Sequence, residues 1–123
     1  MSMEKLIEQV NELVTDEYHR ASYKFGATNN SDHESYAVLL EEVQEADQEF
    51  KLVETQLEKF WLLVKSNDSD MSKYSRLMEL ERRAVLAACE IIQVAAMARK
   101  AAITVECGNV FSDMDDAGGC ANG

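Results

Sequence analysis

AVLAACEIIQVAAMA, residues 84–98, holds one charged residue, Glu90, among fourteen neighbours that are nearly all small or apolar. At helical spacing, one side of this segment carries Leu77, Ala84, Ala88, Ile91, Ala95, Ala98 and Ala102. The other side carries Leu86, Glu90, Gln93 and Met97. A helix apolar on two sides is surrounded by protein, and its alanines let neighbouring backbones approach closely. One further helical hairpin does not cover both sides, so the pattern predicts a homodimer or higher homo-oligomer. The competing arrangement is the central helix of a monomeric three-helix bundle. Either way Glu90 needs company, because a buried carboxylate neutralises, pairs with a cationic side chain or binds a metal ion.

The rest of the chain agrees with a helical reading. It has 123 residues, enough for one domain with a modest core, no proline and five glycines, all outside the periodic segments. The net charge of −11 excludes a general binder of nucleic acid or of anionic membranes. It permits a cation-dependent site or a surface that meets basic proteins. Three cysteines, Cys89, Cys107 and Cys120, lack metal-ligand spacing and make a disulfide framework an unexpected outcome. MSMEKLIEQV has no apolar signal-peptide core, and Glu90 and Gln93 interrupt the best candidate for a membrane span. The expectation is a soluble, cytoplasmic protein.

Leu6, Ile7, Val10, Leu13, Val14 and Tyr18 recur at three- and four-residue steps and predict a helix over 3–24, ended by Gly26. Ser31-Asp32-His33-Glu34 has the form of a capping box. It opens a second helix over 32–65, with an apolar seam through Tyr36, Leu39/Leu40, Val43, Ala46, Phe50, Val53, Leu57, Phe60/Trp61 and Val64. SNDSDMS (66–72) breaks that helix, and a third runs over 73–103. The all-α chain then ends in an acidic, glycine-bearing segment, 104–123, expected to be a flexible tail.

A short turn centred near residue 69 or 70 makes the second and third helices antiparallel and reflects Glu90 to the height of residue 49. Glu42, Glu45 and Glu49, spaced i, i+3, i+7, share one stripe within a turn or two of that height. Acids clustered opposite a buried acid repel unless a cation sits between them. Oxygen ligands suit magnesium or manganese. The alternatives are a plain solvated acidic face, and a pairing of Glu90 with Arg82, Arg83 or Arg99.

Glu41-Glu42-Val43-Gln44-Glu45 reads E-E-x-x-E, and Glu90-Ile91-Ile92-Gln93 reads E-x-x-Q. With KFG (24–26), SDHESYAVLLEEVQEA (31–46) and ACEIIQVAAMA (88–98), the chain resembles the MazG-type all-α nucleoside triphosphate pyrophosphohydrolases over about residues 20–100. The likeness is to members common in phages and prophages. The resemblance implies a helical bundle completed by oligomerisation that hydrolyses a nucleoside triphosphate to monophosphate and pyrophosphate. It makes Glu42, Glu45, Glu90 and Gln93 the magnesium ligands and Glu41 and Glu45 the catalytic acids. Gln93 stands where the family has aspartate, and an amide oxygen ligates without bringing charge. Lys24, Arg20 and His33, at or near the first connection, would reach the nucleotide's phosphate or base. Tyr36, Phe60 and Trp61 would either stack on a base or pack in the core. Two other functions fit the same residues: a nucleotide-binding protein that sequesters a signalling nucleotide without cleaving it, and an acidic interaction module or nucleic-acid mimic.

Overall fold

The computed structural model of the chain describes residues 2–110. Three helices follow one another, α1 (Met3–Phe25), α2 (Asp32–Lys65) and α3 (Asp70–Val105), and a single π-turn covers Glu106–Val110. Among the described residues there is no strand and no helix long and apolar enough to cross a membrane.

Side-chain chemistry sets the helix ends. Ser2 caps α1 by accepting from the Lys5 amide, and Gly26, at φ 96°, closes it with its own amide on Ser22 O. Ser31 Oγ accepts from the Glu34 amide at 3.1 Å, the first half of the expected capping box. The second half differs: the Glu34 carboxylate accepts from Asn30 Nδ2. At the far end of α2, Asp68 N donates to Leu63 O and Asn67 N to Val64 O. With Asn67 at φ 51°, this is a Schellman turn, built on the residue after glycine that best tolerates left-handed backbone. Ser69 then accepts from the Ser72 amide and starts α3 at Asp70, three residues before the expected 73. Thr104 and Val105 continue α3 past its expected end, and from 111 onward the expected tail lies outside the described residues. Cys107 is disulfide-bonded, against the expectation of free thiols; Cys89 is free and exposed.

Contacts divide the chain into two units, one formed by the segments before Val43 and after Ile91, the other by Val43–Ile91. In the first, Val14 and Tyr18 of α1 pack on Ala96 of α3, with Val10, Ile92, Ala95, Met97 and Ile103 around them. Ala96 is 0 % exposed, so a methyl group is what lets the helices close. Leu6, Ile7 and Leu13, counted in the same apolar face by sequence, are exposed. The loop after α1 is tied down on three sides. Tyr18 Oη donates to Ala27 O, Asn29 N donates to Thr104 Oγ1, and Asn29 Nδ2 donates to Ser35 Oγ.

The second unit is an α2/α3 hairpin. Its buried residues are Ala46, Gln56 and Ala87. Val53 and Phe60 are half-buried, whereas Val43, Phe50, Leu57, Trp61 and Val64 of the expected seam are exposed.

Candidate functional site

The inner row of α2 is polar, because Glu42, Glu49 and Gln56 follow one another at seven-residue steps. Each faces a long polar side chain of α3. Arg76 Nη1 donates to Gln56 Oε1 at 2.7 Å. Arg83 Nη1 stands 4.0 Å from Glu49 Oε2, an oxygen buried without a hydrogen bond, and Arg83 Nε also reaches Glu79 at 3.2 Å. The next rung is different: Glu90 of α3 meets Glu42 and Glu45, and the three offer carboxylate oxygens within 4.8 Å of one another. Residues 56 and 76, 49 and 83, and 42 and 90 are each equidistant from Ser66. The register therefore pivots at 66, not at the expected 69 or 70, because α3 begins directly after the Schellman turn. That moves Glu90 from the expected height of residue 49 to that of residue 42.

Two rungs pair α2 with a guanidinium; the third sets acid against acid. Glu42 and Glu90 are half-buried and Glu45 is exposed. The Glu90 carboxyl titrates above its ordinary range, first because burial removes water from it, then because Glu45 and Glu49 repel its charge. The arginines weighed as partners are engaged elsewhere. Arg82 bonds Glu79, Arg83 bonds Glu79 and faces Glu49, and Arg99 donates to Thr15 Oγ1. Among the described residues no basic side chain bonds Glu90.

Gln93 lies one turn beyond Glu90. Its amide donates to Glu17 of α1, whose carboxyl is held below the ordinary range chiefly by hydrogen bonding from Arg20, against the opposing pull of burial, with Gln93 adding to the lowering. Glu41 is exposed and does not join the group of three. Arg20 is exposed and clasps Glu17 with Nε at 2.9 Å and with Nη2. Lys24 is exposed and lies over the Phe25 ring, 5.3 Å from its centroid. His33 is exposed on the first turn of α2. Tyr36 and Trp61 are exposed, not core, and Phe60 is half-buried.

Arg20 and Gln93 also border a cavity of about 460 Å³ with Phe25, Asn29, Met97 and Lys100. Lys100 was not among the residues singled out by sequence. The signal that flagged Glu90 is weaker here, because the run ARKAAITV (98–105) holds two adjacent cations, Arg99 and Lys100.

Comparison with known proteins finds no matching family model, no matching curated protein and no matching solved structure.

Proposed function

We propose that the chain is a magnesium-dependent nucleotide pyrophosphohydrolase of MazG-like build. The observation that carries the reading is the third rung, where Glu90 meets Glu42 and Glu45 while the two rungs nearer the turn carry arginine. Three carboxylates so close favour a hard divalent cation, and an all-oxygen donor set fits magnesium or manganese. Glu42, Glu45 and Glu90 would hold it, with the Gln93 carbonyl oxygen as a neutral fourth ligand. When bound, the ion supplies positive charge to the triphosphate. The chain's own part is positional and basic. Glu45, the exposed member, accepts a proton from the water that attacks phosphorus, with Glu41 four residues earlier assisting. A phosphorus–oxygen bond forms to that water, the α–β phosphoanhydride bond breaks and pyrophosphate leaves.

One observation favours a second reading, a protein that binds a nucleotide without cleaving it. The fourth ligand position is an amide already engaged with Glu17. A single experiment separates the two. The protein is mixed at near-stoichiometric concentration with magnesium and a nucleotide panel, and the filtrate is chromatographed before and after heat denaturation. Triphosphate converted to monophosphate and pyrophosphate is the expected result, abolished in Glu90→Gln. A nucleotide that leaves the filtrate and returns unchanged on heating selects the binding protein. An untouched pool ends both.

We further infer that a second copy of the chain covers the hairpin. Val43, Phe50, Leu57, Trp61, Val85 and Ile91 are 48–57 % exposed, and the first three recur every seven residues. Two helices bury one layer, and a four-helix bundle made from two hairpins buries both. Charge permits it: Val43–Ile91 holds ten acids and seven bases, a net −3 of the chain's −11. Sedimentation of the full chain should give a dimer or larger, and a monomer at micromolar concentration would remove the idea.

A further inference from the structure

The turn end of the α2/α3 hairpin holds a cavity of about 590 Å³, bordered by Arg76. Arg76 is half-buried, and its Nε is shut off from water without a hydrogen bond. Its one bond runs from Nη1 to the neutral side-chain oxygen of Gln56. Arg82 and Arg83, farther along α3, each reach a carboxylate; Arg76 forms no ion pair among the described residues. That stands out in a chain of 23 acids and 12 bases. A guanidinium partly withdrawn from water and left with a neutral partner is stabilised when an anion meets its charge.

The rest of the polar lining is short of free acceptors. Gln56 is 6 % exposed and gives its oxygen to Arg76, so the end it has left is the donating one. Ser72 Oγ accepts from Ser69 Oγ at 2.9 Å, which leaves the Ser72 proton to donate. Ser75 is exposed, and with Ser72 and Arg76 it stands at i, i+3, i+4 on one face of α3. The lining also includes the carboxylate of Glu79, and both of its oxygens are engaged. Oε1 accepts from Arg82 Nη2 and Arg83 Nε, and Oε2 accepts from Arg82 Nε. Two guanidinium groups on that carboxylate, with Arg76 beside them, make this end of the hairpin locally positive in a chain of net charge −11.

We propose that this cavity binds the phosphate group of a small molecule, with Arg76 as the charged anchor and Ser72, Ser75 and the Gln56 amide as further donors. Donors without free acceptors select a ligand that only accepts. Arginine is the cation best matched to phosphate oxygens, and donors from two helices surround a tetrahedral oxyanion better than a flat one. The volume is in the range of small-molecule sites and exceeds what a bare phosphate fills, so Leu63 and Met71 would lie against the organic part of the ligand. None of these residues belongs to the acidic rung at Glu90, so the site is independent of the hydrolase reading.

The test is calorimetric titration of the full chain, in chelator, with phenyl phosphate, inorganic phosphate and benzoate. Phenyl phosphate should bind wild type, and Arg76→Gln should weaken it by about 10- to 100-fold, the loss of a charge-assisted contact. Ser75→Ala removes an exposed hydroxyl and leaves the Arg76–Gln56 bond in place. It should weaken binding by about 3- to 10-fold at an unchanged melting temperature, which keeps the proposal testable even if Arg76→Gln fails to fold. Phenyl phosphate binding tighter than inorganic phosphate supports the role of Leu63 and Met71; equal affinities overturn that role and leave free phosphate as the ligand. The proposal is overturned if neither phosphate binds wild type, if benzoate binds as tightly as phenyl phosphate, or if both variants bind like wild type. Glu90→Gln should bind as wild type does, so a failure of this site and a failure of the hydrolase reading are told apart.

Discussion

α2 and α3 each run through two environments, and the contrast shows what a third helix does. Beyond Ile92, α3 has α1 to pack against. There Val14, Tyr18 and Ala96 are shut away from water, and a cavity with a buried lysine is held open beside them. Between Val43 and Ile91 the same two helices have only each other. They bury two alanines and a glutamine, while Phe50, Leu57 and Ile91 stay half in water. Their inner row is a ladder of polar rungs, Gln56 with Arg76 and Glu49 with Arg83, at a position where a self-sufficient bundle would place leucine. Polar rungs fix register at a cost in stability, so a hairpin built this way depends on what covers its outer faces.

The largest expected effect comes from the rung that breaks the ladder's pattern. Glu90→Gln should lower turnover by 10³-fold or more, in the range seen when a metal ligand or charged catalytic group is lost. The same change removes repulsion from Glu45 and Glu49, so the variant should melt at a higher temperature than wild type in metal-free buffer. Paired turnover and calorimetric scans check both halves, and retained turnover would end the hydrolase reading. Glu90→Gln melting lower than wild type would instead make Glu90 a structural anchor.

Next in size is the hairpin's outer stripe. Leu57→Glu places a charge in the middle of the apolar row and should weaken self-association by at least about 100-fold. Hydrogen exchange should quicken at Val43–Ile91 amides while those around Val14 and Ala96 hold, which would show that the two environments differ in what they need. Uniform loss of protection would contradict that comparison. A smaller effect belongs to the region that α1 completes. Tyr18→Phe deletes the bond to Ala27 O and should cost about 1 kcal/mol by denaturant titration. An unchanged midpoint would mean that the loop is held by Asn29 and Thr104 alone.

Much of this was legible in the sequence because it is local. Helix existence follows from spacing, and Gly26, Ser31 and the 66–72 turn carry their own stop and start chemistry. What was not legible depends on register. A turn centre misplaced by three or four residues moved Glu90's partner from the height of 49 to that of 42, about two helical turns. Burial failed for a related reason. Tyr36, Phe50 and Trp61 are apolar at seam positions, and whether a seam is inside depends on neighbours that periodicity does not supply. Lys100 escaped notice because a cation at the end of a helix reads as ordinary dipole complementation. Only the fold shows that it is enclosed.

The smallest expected effect is a difference in pH dependence, and it bears on the third rung without requiring turnover. Glu90 holds its proton more tightly in the folded chain than in the unfolded one, because burial and the nearby charges of Glu45 and Glu49 oppose ionisation. Its contribution to stability is therefore fully present below the unfolded carboxyl range and is lost as pH rises through the elevated folded value. Glu17 and Glu79 act in the opposite sense. Hydrogen bonds from Arg20 and Arg82 hold their carboxyls low, so their contribution appears as pH rises and would mask Glu90 in a wild-type scan. Subtracting a Glu90→Gln scan from the wild-type scan cancels them, since both chains carry both residues. The difference should run against wild type by a few degrees between pH 4.5 and 7 in chelator, and should shrink when millimolar magnesium is added, because a cation bound to the folded state offsets the repulsion. A difference curve that is flat with pH would mean that Glu90 is not held against its neighbours at all. One that slopes as expected but ignores magnesium, manganese and calcium alike would leave the acids facing each other with no ion to join them.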